Sequence, residues 1–206
     1  MACKKVVEGM AIDLSSSPPT CTHCVLGKQS RSPVPKTRES LKAMERLGRV
    51  FVDLCGPIPT VSRSGRLYSM HVIDDFSSYI WSLPLRSKGD ATSVLQLWHK
   101  HVTTQTGLPL KILVTDNGEL VSKRMKDWCL SLGIDHVVTA PHTSAQNGHA
   151  ERIHCTILGK AHAMRLACHA PTSLWDEFCA TAAYLTNFTA TPTLGHKTAY
   201  EMWFGR

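Results

Sequence analysis

Apolar and polar positions follow regular periods from residue 50 onward. Val50-Phe51-Val52-Asp53-Leu54, the run from Leu67 to Ile73 and Tyr79-Ile80-Trp81-Ser82-Leu83 are short and rich in β-branched and aromatic residues. Gly56-Pro57, Ser64-Gly65 and Asp74-Asp75 punctuate them, so they predict three sequential strands in an antiparallel meander. From Ala91 to Gln105 the period lengthens: Val94, Leu95, Trp98 and Val102 fall at helical spacing before Gly107-Leu108-Pro109, and Ile112-Leu113-Val114 predicts a fourth strand. Met125, Trp128, Cys129 and Leu132 mark a second helix ending at Gly133, and Ile134 to Val138 a fifth strand. Thr139 to Gly148 reads as a loop. Beyond it, Ile153, Ile157, Ala161 and Met164 form one helical stripe, and Leu174, Phe178, Ala182 and Leu185 a second after Pro171. A short last helix covers Thr198 to Phe204. The order β-β-β-α-β-α-β-α-α-α predicts an α/β fold, a five-stranded mixed sheet flanked by helices.

The preceding segment lacks such periods. Ser15-Ser16-Ser17-Pro18-Pro19 is a breaker cluster, and Gln29 to Arg38 mixes Ser, Pro and basic residues, which predicts an irregular N-terminal tail. The chain therefore divides into residues 1–45, a tail and linker, and 46–206, one substantial core, which 206 residues of 43% apolar composition suffice to build.

Charge and cysteines narrow the picture. Lys and Arg number 23 against 16 Asp and Glu, a formal +7, which favours a polyanionic partner without choosing between DNA, RNA and an acidic membrane. No run approaches the ~18 apolar residues of a membrane span. Met1-Ala2-Cys3-Lys4-Lys5 lacks an apolar secretory core, so a nuclear or cytoplasmic protein, not secreted and without a membrane partner, is expected. The eight cysteines are scattered, most within apolar segments, and predict reduced thiols rather than a disulfide framework.

Three acids carry the candidate chemistry. Asp53 lies inside an apolar strand, on the opposite side of the pleat from Val52, where a charge needs a partner or a metal. Asp116 follows Ile112-Leu113-Val114, at a strand's carboxyl end where open α/β sheets present their chemistry; a turn-forming Asp is the alternative. Glu151 follows Gln146-Asn147-Gly148, where Asn147 is read as the cap of a new helix, about one turn before Glu151; the alternative is a glutamate favoured by the helix dipole. Three such carboxylates repel one another unless they hold divalent cations, and their hard oxygens imply Mg²⁺ or Mn²⁺. Two ions about 3.5–4 Å apart would support in-line phosphoryl transfer.

Asp53-Leu54-Cys55-Gly56-Pro57, Ile73-Asp74-Asp75-Phe76-Ser77, Thr115-Asp116-Asn117-Gly118 and Gln146-Asn147-Gly148-His149-Ala150-Glu151-Arg152 together resemble the integrase core of Copia-type long-terminal-repeat retrotransposons, over about Asp53 to Arg206. The resemblance implies a ribonuclease H-like fold and an Asp, Asp, Glu triad with about 35 residues between the last two acids; here that interval is 151 − 116 = 35, at Asp53, Asp116 and Glu151. It also implies a metal-dependent polynucleotidyl transferase that processes DNA 3′ ends and joins them to target DNA, self-associating when active. A catalytically silent, nucleic-acid-binding remnant of a retroelement is the alternative, and RNA an alternative partner. Asn117-Gly118-Glu119-Leu120 differs from the many relatives that carry a second Gly before the Glu and an aromatic after it.

Other residues carry weaker signals. Gln146 and Asn147 are candidate DNA contacts, with helix capping as the alternative, and Arg152 and Lys160 are candidate phosphate contacts, with a solvated helix face as theirs. Asp74 and Asp75, between two strands, read as turn formers, and Trp81, Trp98, Trp128 and Trp175 as core. Cys21-Thr22-His23-Cys24 resembles the second half of the zinc-binding module that precedes this core in the family. The two upstream histidines of that pattern are missing from the first twenty residues, so Cys21 and Cys24 supply only half of a Zn²⁺ site.

Overall fold

The computed structural model describes residues 22, 41–116, 118–139 and 144–206, without the side chains of 144–151. Cys21, Cys24 and Asn117 lie outside the described residues. Five strands, β1 Val50–Cys55, β2 Tyr68–Asp74, β3 Ile80–Leu85, β4 Ile112–Thr115 and β5 Asp135–Val138, form one sheet in the order β3-β2-β1-β4-β5. β1–β2 and β2–β3 are antiparallel, as a meander requires, whereas β1–β4 and β4–β5 are parallel. Among the described residues five α-helices flank it: α1 Ala91–Thr106, α2 Lys123–Leu132, α3 Ser144–Ala167, α4 Trp175–Asn187 and α5 Ala199–Phe204.

Local chemistry sets most helix ends. Gly107 and Gly133 close α1 and α2 in the left-handed region, the Ser122 hydroxyl accepts the Met125 N–H at the start of α2, and Thr198 and Glu201 cap each other at the start of α5.

Alternation along the strands divides the interior in two. Val50, Val52, Met70, Val72 and Leu113 face α1, α2 and α5 in a cluster with Leu95, Trp98, Val102, Met125 and Trp203. Phe51, Ile73, Ile80 and Val114 face the other way, onto Ile157 and Ala161 of α3 and Trp175, Cys179 and Ala182 of α4. Each such side chain contributes about 1.5–3 kcal/mol relative to exposure, so the strands that carry the acids are clamped from both faces. Trp98 and Trp175 are buried, and Trp81 sits between Tyr79, Trp98 and Trp203, as core aromatics. Trp128 is half-buried against His99.

Two expectations are corrected. The helix predicted to begin after Asn147 begins at Ser144, so Asn147 is not its cap and Glu151 stands at the eighth helical residue instead of one turn in. On α4 the buried stripe is Trp175, Cys179, Ala182 and Ala183, while Leu185 is 47% exposed. The 3-10 turn Thr172–Leu174 before α4 resets the phase of the stripe.

Asp74 and Asp75 are wholly buried and tie residues 43–49 to the turn between β2 and β3. Asp74 accepts the Leu47 N–H at 2.8 Å and the Ser77 N–H and hydroxyl at 2.7 and 2.6 Å, while Asp75 accepts the Ala43 N–H and lies 3.6 Å from Arg49. Asn187, at the end of α4, closes the rim of the edge strand β3: its carboxamide accepts the Ile80 N–H at 2.9 Å and donates to the Ile80 carbonyl at 2.8 Å. Replacing it strands two buried backbone groups, and Asn187→Ala is expected to lower unfolding free energy by about 2–4 kcal/mol in urea titrations.

Candidate active site

On β1, Phe51 belongs to the face covered by α3, and period-two alternation puts Asp53 on that face. On β4, Val114 does the same for Asp116, which follows the strand directly. Val52 is in register with Thr115, so one step further along these parallel neighbours Asp53 stands beside Asp116, at the inter-strand spacing of about 4.8 Å. Across the antiparallel pair Asp53 faces His71, and His71 faces Ser82. The α3 face of the sheet thus carries a transverse row, Ser82, His71, Asp53, Asp116.

Helix α3 covers this row through His154. Its Nδ1 lies 3.8 Å from Asp53 Oδ2 and 2.9 Å from His71 Nδ1, and His71 Nε2 lies 3.3 Å from the Ser69 hydroxyl. Glu151 is helical three residues before His154, so its backbone is brought to the helix segment that overlies the row. Its side chain, like those of Gln146 and Asn147, lies outside the described residues.

A family model for the integrase core domain matches residues 44–144. Over 184 residues, 89% of this chain, 36% are identical to the retrovirus-related Pol polyprotein from transposon TNT 1-94 of Nicotiana tabacum, and over 188 residues 26% are identical to that from transposon RE2 of Arabidopsis thaliana. The chain belongs to the integrase core domain family. It spans about 14% and 13% of those two polyproteins. Among solved structures, it is similar to the HTLV-2 integrase catalytic core domain in complex with magnesium (TM-score 0.59, 16% identity, 78% of this chain and 99% of that one). It is also similar to a simian T-cell lymphotropic virus intasome bound to a PP2A regulatory subunit (TM-score 0.64, 18% identity, 86% of this chain and 61% of that one). These likenesses establish the ribonuclease H-like fold of the integrase core.

In this integrase core the surroundings of Asp116 are polar and tight. A Cβ on Gly118 would come within 3.1 and 3.2 Å of the two Asp116 carboxylate oxygens, so a side chain there would press the carboxylate to shift. Lys88 pairs with Glu119 at 2.6 Å, and Leu120 is buried, which fixes the loop that departs from the family pattern. Burial, then the Glu119 charge, raises the Asp116 carboxyl above the ordinary carboxylate range, against the opposing pull of Lys88. Burial, then His154, pushes His71 down to about 3, and burial lowers His154, which favours the neutral form of both imidazoles.

Asp53 and Asp116 supply carboxylate oxygens, the hard donors that a divalent cation takes. Among the described residues no group of three or more His, Cys, Asp and Glu is arranged to hold a metal ion. The third acid expected there, Glu151, has its side chain outside those residues.

Beside the row, the end of β1 and residues 56–60 enclose with α3 and α4 an open groove of about 1180 Å³, lined by Cys55, Ile58, Lys160, Arg165, Trp175 and Phe178. Lys160 donates to the Thr186 hydroxyl at 2.8 Å, and Arg152 is half-buried on α3. Burial holds the Cys55 and Cys179 thiols protonated, pushed up to about 11 and 12. Cys129 and Cys179 are buried, as expected of small hydrophobes, while Cys155 and Cys168 are exposed.

Sequence reading singled out neither His71 nor His154. The available signals were a ring nitrogen alternating with Met70 and Val72 in a buried strand, and a histidine one helical turn after Glu151.

The raised Asp116 carboxyl sets the sign of a pH effect. Its protonated form favours folding and its ionised form opposes it; the opposition grows as pH rises from the ordinary carboxylate range through the raised value, and is complete above it. Metal-free Asp116→Asn should therefore melt above wild type at pH 7, with the gap closing toward acid pH, as followed by differential scanning fluorimetry.

Proposed function

We propose that this chain is the catalytic core of a retrotransposon integrase: a divalent-metal-dependent polynucleotidyl transferase that processes DNA 3′ ends and joins them to target DNA. The single observation that carries this reading is the side-by-side placement of Asp53 and Asp116 on one sheet face, beneath the helix that bears Glu151. Asp53, Asp116 and Glu151 would hold Mg²⁺ or Mn²⁺. Such ions, when bound, activate a water or 3′-hydroxyl and stabilise the leaving oxygen of a phosphodiester.

The chain's own contribution is placement. Asp53 and Asp116 are held on neighbouring strands packed from both faces, which sets the carboxylates before any ligand arrives. The formal +7 draws in a polyanion, and Lys160 and Arg165 put basic groups on the wall of the groove that begins two residues beyond Asp53. Arg152, on the same helix as Glu151, is a further candidate for phosphate. In this reading the active form is a homo-oligomer, as the resemblance to retrotransposon integrases implies.

The test is Mn²⁺-dependent nicking and joining of labelled duplex ends by the purified chain. Activity should fall to the metal-free level in Asp53→Asn, Asp116→Asn and Glu151→Gln. Activity that survives Asp116→Asn overturns the assignment, and salt-sensitive DNA binding without metal-dependent cleavage would mark a silent remnant instead.

A further inference from the structure

The polar row and the helix above it bring together two histidines, His71 and His154, that the proposed chemistry does not use, and their geometry determines more than a contact. The two Nδ1 atoms lie 2.9 Å apart, a hydrogen-bond distance, so one must be the donor and the other the acceptor. Asp53 Oδ2, 3.8 Å from His154 Nδ1, decides between the two arrangements. A bare imidazole lone pair facing a carboxylate oxygen is repelled, whereas an N–H there is attracted. The proton therefore sits on His154 Nδ1, which donates to His71 Nδ1 and turns its positive end toward Asp53. His71 then carries its proton on Nε2 and donates to the Ser69 hydroxyl at 3.3 Å, with the Ser82 hydroxyl 3.4 Å beyond. One directed chain crosses the sheet from α3 to β3.

We propose that His71 and His154 are positioning residues: His71, locked inside the sheet, fixes the ring of His154, and His154 fixes both the Asp53 carboxylate and the rotation of α3, and hence where Glu151 stands over the row. This rests on the reading of Asp53 as a metal ligand. His71 is suited to the anchoring part, because it is wholly buried and directly opposite Asp53 on the adjacent strand. His154 is suited to the bridging part: its ring centroid lies 4.9 Å from that of His71 at 54°, an inclined contact that leaves it little freedom to turn. The device is the carboxylate counterpart of the outer partners that orient metal-bound side chains, whose loss lowers metal affinity about 10–100-fold.

The experiment is calorimetric titration of MnCl₂ into the purified full chain at pH 7, for wild type, Asp53→Asn, His154→Ala, His154→Asn and His71→Leu, with the melting temperature of each metal-free variant. Wild type is expected to bind and Asp53→Asn to lose binding. His154→Ala and His71→Leu should weaken binding about 10–100-fold. His154→Asn, which keeps an N–H donor, should recover part of that loss. Binding in His154→Ala equal to wild type, with Asp53→Asn deficient, overturns the clamp and leaves the metal reading of Asp53 standing; equal binding in wild type and Asp53→Asn overturns that reading, and the clamp with it. Should the histidine variants unfold, imidazole ¹⁵N shifts of wild type decide the matter: protons on His154 Nδ1 and His71 Nε2 are expected, and the opposite tautomers overturn the proposal.

Discussion

The parallel pairing of β1 with β4 puts two carboxylates on one face of one sheet at neighbouring positions, and much of the surrounding structure answers to that constraint. Like charges held on adjacent strands repel unless a proton, an ion or a nearby cation offsets them. The repulsion cannot relax by separation, because Val50, Val52 and Leu113 are packed on one side of the sheet and Phe51 and Val114 on the other. It is met locally: Asp116 gains room from Gly118 and a nearby cation in Lys88, and Asp53 lies beside the imidazole of His154.

The division of the interior into two clusters follows from the same sheet. The meander β1-β2-β3 leaves its rows open toward α3 and α4, while the crossover through α1 returns the chain on the far face to place β4 beside β1. The acid row therefore sits near the carboxyl ends of β1 and β4, between a rigid interior and the start of an open groove. Asp74 and Asp75 show the contrasting fate of acids in this chain: held by backbone N–H groups, the Ser77 hydroxyl and Arg49, they secure a turn and the segment before β1.

Much of this was legible in the residues. All five strands lie within two residues of their expected bounds, because alternation and turn residues agree, and Gly107 and Gly133 stop their helices where a left-handed residue is needed. Alternation also put Asp53 on the face opposite Val52. The start of α3 was not legible: Asn147 and Gly148 read as a break, but a glycine costs a helix only about 1 kcal/mol, and Ile157 and Ala161 anchor this one in the core downstream. The phase of α4 depended on a 3-10 turn with no distinctive sequence. The His71–His154 contact joins residues 83 positions apart, and no local pattern encodes it.

The outer rims of the sheet bear on how copies of this chain can meet. At one rim, β3 contains Pro84, which has no N–H to offer, and its Ile80 is already engaged by Asn187. At the other, β5 is only four residues long and begins with a charged aspartate. Neither border is a good template for a foreign strand, so growth by stacking sheet against sheet edge-on is blocked at both ends. Helical surfaces, rather than the sheet borders, are what the fold leaves for contact between copies.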